Sequence, residues 1–137
     1  MEIARFEKRV ISYLIDLVFP YAIGITSGVL LFVYTPLPWY FSLLLLFLFC
    51  FVAYLLVNVP AMGLSKGHGI GSAITGIKTI NENGSPITWK AVWIKNLYYA
   101  LLPCVIANAI YMLIIHTERT LFDRITDTVV VDERIKN

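Results

Sequence analysis

Two ionisable residues of opposite charge lie near the start of the chain, on one face of an apolar segment. Arg9 and Asp16 are seven residues apart, and seven helical steps of about 100° return almost to the starting direction, about 10.5 Å further along the axis. Ser12 and Tyr13 lie between them on that face. An aspartate about two turns inside a membrane costs about 2.5–3.5 kcal/mol on insertion scales. We therefore expect cationic or hydrogen-bonding groups around Asp16, either as a site for a proton, cation or ligand or as a polar clamp that fixes helix packing.

The C-terminal tail holds a candidate partner for the Arg9 side chain. The axial separation is awkward for a direct contact between Arg9 and Asp16, so each should find its partner elsewhere in the fold. The polar run from 119 to 128 contains Asp123. In an exposed tail this run would be solvated. In a tail that folds back, Asp123 could accept hydrogen bonds from Arg9, which is the geometry of a strong ion pair.

Other residues with reactive side chains do not form a recognisable site. The segment 67–71, Gly-His-Gly-Ile-Gly, superficially resembles a phosphate loop, but it has no following Lys-Ser/Thr and no preceding strand. His68 and His116 are too far apart in sequence to indicate a metal site. Cys50 and Cys104 both lie in apolar stretches and are interpreted as small buried hydrophobes. We predict no metal, no cofactor and no enzyme activity, since no nucleophile set is visible.

The composition is that of a membrane protein. Of the 137 residues, 58% are hydrophobic and 15% are charged, whereas soluble domains have roughly 45–50% and about 25%. The net charge of +2 is too small to indicate nucleic-acid binding. At this length a single domain over residues 1–137 is expected.

Two segments have the length and composition of membrane-spanning helices. These are residues 10–35 and 39–60, and a span needs roughly 20 apolar residues. The short turn Pro36-Leu37-Pro38 between them allows only an antiparallel hairpin. This turn has no lysine or arginine, whereas the N-terminal segment and the loop after the second span have several. The asymmetry predicts that the N-terminus and the far end of the hairpin face the cytoplasm of the cell.

Residues 61–90 are expected to form a cytoplasmic loop. Its first half is rich in glycine and should be flexible. Its second half, residues 74–89, has short β-rich runs around Asn83-Gly84, which predict a β-hairpin. The run 128–131, Thr-Val-Val-Val, is predicted to be a strand that could pair with this hairpin and form a small sheet under the membrane.

The third apolar region, residues 91–116, leaves two topologies open. It is long enough to cross once, and Pro103 should break its helix. A single crossing would put the tail, residues 117–137, outside. A helix that breaks near Pro103 and turns back would keep the tail inside, which Arg119 and Arg124 favour. The predicted fold class is thus an all-α integral membrane protein: a two-helix transmembrane hairpin, a third broken or re-entrant apolar helix, and a small cytoplasmic β-sheet.

These features together resemble the RDD family of membrane proteins, which is named for one arginine and two aspartates. The run from Arg9 to Asp16 resembles its first helix, residues 71–84 resemble its middle loop, and Leu121-Phe122-Asp123 followed by a valine run resembles its end. The similarity spans nearly the whole chain. It implies that Arg9, Asp16 and Asp123 are the functional residues. Lys95 stands where family members often have arginine, and it keeps the charge without the planar fork.

The resemblance implies transport of an unidentified ligand or ion, and two hypotheses follow. In the first, the chain is a component of the transport of an ion or polar ligand, bound by an Arg/Asp cluster at the cytoplasmic side. Two or three crossings cannot enclose a pathway, so this requires a homo-oligomer or a partner membrane protein. In the second, the chain is a non-catalytic membrane adaptor or accessory subunit, and the cluster is structural.

Overall fold

Two long apolar helices form an antiparallel hairpin, as predicted. In the computed structural model, which describes residues 2–115, 117 and 119–134, α1 spans Phe6–Tyr34 and α2 spans Trp39–Leu64. Both are long and apolar enough to cross a membrane. Each is longer at one end than predicted, because α1 begins at Phe6 rather than at residue 10 and α2 continues to Leu64 rather than ending at residue 60.

Small residues bring the two helices into close contact. A Cβ atom added to Gly24 would lie 2.6 Å from Cα of Cys50, and one added to Gly28 would lie 2.5 Å from a methyl carbon of Leu46. Only glycine allows this approach, which gives helices in a membrane their packing energy. Cys50 is buried at the contact, whereas Cys104 is partly exposed.

The segment between the hairpin and the third apolar region contains a helix and a strand. Helix α3 spans Ile70–Thr75 and strand β2 spans Ile77–Asn81. The predicted β-hairpin over residues 74–89 is therefore confirmed only in part, since β2 is its first strand and the return forms no ladder. Its first two residues belong to α3, which ends at Gly76 with φ +74°. The return from the Asn-Gly turn makes a single bridge, between Ile80 and Pro86, because Pro86 has no amide hydrogen to continue a ladder.

The predicted small sheet is present and has three antiparallel strands. Strand β1 spans Glu2–Ile3, β3 spans Thr128–Asp132, and the strand order is β1-β3-β2. The predicted strand in the tail is confirmed as the central strand, with Val130 opposite Thr79 in β2. Pairing of β1 with β3 brings the two ends of the described chain together.

The third apolar region is broken, as predicted. Helix α4 spans Trp89–Ala100 and α5 spans Leu102–Ile115, with a bend of 98° between them. Pro103 lies in the first turn of α5, where its missing amide hydrogen costs nothing, and it prevents α4 from continuing. By length and composition the pair is either one broken span or a re-entrant element. The predicted end of this region, His116, lies outside the described residues.

The tail folds back onto the helices, so Asp123 is not solvated, whereas Asp127 in the same polar run is exposed. Helix α6 spans Leu121–Ile125 and leads directly into β3. Asp123 and Asp132 are both buried. Lys8 in α1 forms an ion pair with Asp132, and Ala4, Ile77 and Val130 form a small apolar core under the sheet.

Candidate functional site

Arg9, Lys95 and Asp123 form a closed ion cluster where α1, α4 and α6 meet. Nη1 of Arg9 lies 2.6 Å from Oδ2 of Asp123, and Nζ of Lys95 lies 2.5 Å from Oδ1. The Asp123 side chain is 0% exposed, the Lys95 side chain 2% and the Arg9 side chain 8%. The structure thus places Asp123 in contact with Arg9, the arrangement expected for a tail that folds back.

Local structure fixes the Asp123 carboxylate in place. Thr120 is the N-cap of α6 and Asp123 is its third residue, so the two form a capping box. The amide of Thr120 donates to Oδ2 of Asp123 at 3.2 Å, and the amide of Asp123 donates to Oγ1 of Thr120 at 3.0 Å. The amide of Phe122 donates to Oδ1 of Asn108 at 3.2 Å, which holds α6 against α5.

The two cations are also anchored by groups outside the cluster. Nε of Arg9 donates to the carbonyl oxygen of Ala4 at 3.2 Å, and Nη2 donates to that of Val130 at 3.4 Å. Nζ of Lys95 donates to Oγ1 of Thr128 at 3.0 Å. The cluster therefore ties three helices to the central strand of the sheet.

Two cations surround one carboxylate, and this excess of positive charge determines the ionisation of Asp123. Burial alone would raise the pKa of Asp123, but the ammonium of Lys95 and the guanidinium of Arg9 outweigh it and lower the pKa to about 2. Asp123 is thus an anion at any physiological pH. Its two oxygens already accept hydrogen bonds from Arg9, Lys95 and the amide of Thr120, so it is poorly placed to bind a ligand.

Asp16 lies apart from this cluster and binds the start of α3. Its Oδ1 accepts a hydrogen bond of 2.7 Å from the amide of Gly71. This helix has no side-chain cap of its own, so Asp16 satisfies one of the amides that a helix start leaves unpaired. A Cβ atom added to Gly71 would lie 1.9 Å from the carbonyl oxygen of Ser12. The glycine-rich segment 67–71 is therefore a docking segment for α1, a role that its resemblance to a phosphate loop did not reveal.

A cavity of about 70 Å³, lined by both polar and apolar groups, lies between Asp16 and the ion cluster. Four of the five site residues predicted from the sequence line it. The fifth, Asp123, does not line the cavity but binds Arg9 and Lys95, which do. The lining residues are Arg9, Ser12, Tyr13, Asp16, Tyr54, Asn58, Met62, Gly69, Ser72, Ile77, Thr79, Lys95, Asn96, Tyr99 and Val130. In the described part of the chain Asp16 belongs to none of the ion pairs.

A comparison with protein families shows which family the chain belongs to. The family model described as "RDD family" matches residues 3–127, which include Arg9, Asp16, the docking segment, the ion cluster and strand β2, and which end just before β3. The chain belongs to the RDD family. Searches of curated proteins and of solved structures found no match. The family and the two long apolar helices together indicate a membrane protein.

In this RDD protein Tyr13 has a packing role. Its hydroxyl donates to the carbonyl oxygen of Tyr99 in α4 at 3.0 Å. Its ring lies 5.5 Å from that of Tyr99 and 6.5 Å from that of Tyr54, measured between ring centroids. Tyr13 therefore joins α1 to α2 and α4 and forms one wall of the cavity.

Sequence reasoning missed Asn58, which faces the same cavity from α2. Its Nδ2 donates to the backbone carbonyl of Asp16 at 3.1 Å and to that of Tyr54 at 3.2 Å. Asn58 is 2% exposed, and its Oδ1 has no hydrogen-bond partner among the described residues. The available signal was an amide side chain near the end of a span that is otherwise almost entirely apolar.

Histidines and acidic residues outside the cavity do not assemble into a metal site. Within residues 2–115, 117 and 119–134, no three His, Cys, Asp or Glu residues are grouped as metal ligands would be. Nε2 of His68 lies 2.8 Å from a carboxylate oxygen of Glu133, and this contact is the largest cause of the lowered pKa of Glu133. His116, considered with His68 in the sequence, lies outside the described residues.

Proposed function

We propose that this RDD-family chain is a membrane component of the transport of a small ion, which is held in the cavity at Asp16. The observation that carries the proposal is the contrast between the two aspartates. Asp123 is neutralised by two cations, whereas Asp16 lines a cavity and has no ion-pair partner among the described residues. Intramembrane carboxylates of this kind mark ion and proton pathways in other membrane proteins.

The size of the cavity favours an ion over a larger ligand. Sites for organic ligands are typically about 300–1,000 Å³, whereas this cavity is about 70 Å³. A single water needs roughly 10–15 Å³ by a comparable measure. The space therefore suits a small ion with a few waters. Of the two ligand classes expected from the sequence, an ion or a polar ligand, the cavity size favours the ion.

Strand pairing supports a topology in which both ends of the chain face the cytoplasm. If α1 and α2 both cross the bilayer, β1 and β2 lie on the same side. Because β3 pairs with both, it lies on that side too. The α4–α5 pair, between β2 and β3, must then enter and leave from one side, as a re-entrant element. The excess of lysine and arginine on this side makes it cytoplasmic.

A single copy of this fold cannot enclose a pathway. Two crossings and one re-entrant pair provide too few helices to surround an ion across the bilayer. Transport therefore requires a homo-oligomer or a partner membrane protein, with the exposed apolar faces of α1 and α2 towards lipid or neighbouring subunits.

The second candidate function is that of a non-catalytic membrane adaptor or accessory subunit. The observation that favours it is the closure of the cluster of Arg9, Lys95 and Asp123, which joins the helices to the sheet and is satisfied entirely by the protein itself. In this role the cap from Asp16 to Gly71 is structural as well, and the sheet is the surface that binds another protein.

Replacing Asp16 by asparagine separates the two functions. Asparagine keeps a carbonyl oxygen that can accept from the Gly71 amide, but it removes the charge. We expect purified protein in vesicles to support cation-dependent flux that is abolished in Asp16→Asn, while the variant still elutes and melts like the parent. Glu82→Gln, which changes an exposed carboxylate of the sheet region, is the matched control and should keep full flux.

One result would contradict transport, and a second would contradict the assignment of the ion site to Asp16. Parent vesicles whose flux equals that of empty vesicles would exclude transport by this chain alone or as a homo-oligomer. Parental flux in Asp16→Asn would exclude Asp16 as the ion site. Loss of stability or of a co-purifying partner in Asp16→Asn, with no flux in the parent, would instead favour the adaptor.

A further inference from the structure

We infer that Asn58 supplies a second ligand of the Asp16 site and that its amide oxygen binds a small monovalent cation. This rests on the proposed function and adds to it a residue that determines which ion is bound. The starting observation is that Asn58 lines the same cavity as Asp16 and carries a buried acceptor, Oδ1, without a partner among the described residues.

The orientation of the Asn58 amide follows from its surroundings. Nδ2 lies 3.1 Å and 3.2 Å from the carbonyl oxygens of Asp16 and Tyr54. Both partners only accept hydrogen bonds, so a flipped amide would place its oxygen against two other oxygens. Oδ1 is therefore the atom left without a partner. Native proteins rarely leave a buried acceptor unsatisfied, so a ligand, ion or water is expected to bind such a group.

The chemistry of the neighbouring groups favours a cation as that ligand. Carboxylate and amide oxygens are the hard ligands that alkali and alkaline-earth ions prefer. Ser12 and Ser72 line the same cavity and can contribute hydroxyl oxygens. All of these groups can present an oxygen lone pair, and the space between them has room for bridging waters.

The charge of the site favours one positive charge over two. Among the described residues, Asp16 is the only carboxylate that lines the cavity, and Arg9 and Lys95 line it as well. Divalent ions bind with 6–8 oxygen ligands, commonly several carboxylates, and the nearby cations would repel them. One carboxylate, one amide oxygen and hydroxyls suit a monovalent ion that keeps part of its hydration.

The test measures thermal unfolding of the purified protein during titration with lithium, sodium or potassium chloride. Choline chloride keeps the ionic strength constant. We expect the parent to gain stability saturably with at least one alkali ion and not with choline. Asn58→Ala should raise the half-saturating concentration about tenfold or more, because the ion loses one of its oxygen ligands; tenfold corresponds to about 1.4 kcal/mol. Asn83→Ala, in an exposed turn, is the matched control and should bind like the parent.

A second variant covers the case in which Asn58→Ala fails to fold, since Nδ2 also joins α1 to α2. Asn58→Asp keeps an oxygen in the same place and adds a second carboxylate. It should shift the site towards calcium or magnesium, which would then stabilise the variant more than the parent. A purely structural Asn58 would produce no such change in selectivity.

Several outcomes would overturn the inference. They are a parent whose melting responds equally to choline and alkali ions, a parent that responds to pH alone, and an Asn58→Asp variant with parental selectivity. The vesicle assay keeps the two proposals apart. Flux that needs Asp16 but is unchanged in both Asn58 variants refutes the role of Asn58 and leaves transport standing. Absence of flux in the parent refutes transport by this chain alone or as a homo-oligomer.

Discussion

Removing Asp123 should destabilise this protein more than removing Lys95. Asp123→Ala leaves Arg9 and Lys95 buried together without an anion. Lys95→Met leaves one cation and one carboxylate, with Arg9 and Asp123 still 2.6 Å apart. The order of the two losses follows from counting charges, because the cluster has two positive charges and one negative charge.

The magnitudes follow from the burial of the three side chains. Breaking a buried ion pair costs about 3–5 kcal/mol because it leaves a charge uncompensated. Asp123→Ala leaves two buried charges uncompensated, and these two charges also repel each other. We therefore expect a loss of unfolding free energy near the upper end of that range. Lys95→Met removes one hydrogen bond to a charged group and keeps an apolar stem of similar length, so we expect about 1.5–3 kcal/mol.

Unfolding in mild detergent, followed by circular dichroism, measures these differences. The double variant Lys95→Met/Asp123→Ala should be more stable than the sum of the single losses predicts, because removing Lys95 relieves the repulsion created by removing Asp123. Glu82→Gln, at the exposed pair with Arg119, should cost under about 1 kcal/mol and serves as the control. Equal losses for the two single variants, or additive losses in the double variant, would refute the charge argument.

Two further predictions concern pH and topology. Because the pKa of Asp123 in the folded protein is about 2, below its usual 3.8, its stabilising contribution should be complete above about pH 4. As the pH falls towards 2, about 2 kcal/mol should be lost; Asp123→Asn should flatten this part of a plot of unfolding midpoint against pH. Reporter fusions before Glu2 and after Asn137 should both report the cytoplasm, and opposite sides would contradict the re-entrant topology.

Features set by local composition were predictable from the sequence. The two spans depend on apolar length, the break of the third region depends on Pro103, and β3 follows from its run of β-branched residues. The contact between Arg9 and Asp123 was expected only for a tail that folds back, since sequence spacing alone could not decide where the tail lies.

Features set by tertiary contacts were not predictable. Ile74 and Thr75 favour a strand by type, yet they are helical in α3, whose start is fixed by the Gly71 contacts with Ser12 and Asp16. The two-residue strand β1 has no periodicity to detect. The importance of Asn58 depends on which of its polar atoms are paired, and this appears only when α1 and α2 are packed together.

The two aspartates that this RDD protein presents to its core have different charge environments, and this difference assigns them different tasks. Arg9 and Lys95 balance Asp123 and Asp16 in formal charge, but both cations bind Asp123. A carboxylate held by two cations is fixed and cannot exchange partners easily. A carboxylate held mainly by one helix amide keeps capacity for an ion, and the positive excess nearby weakens that binding. Transport requires sites that bind strongly enough to load and weakly enough to release, so under the proposed function Asp16 holds the ion and Asp123 belongs to the scaffold.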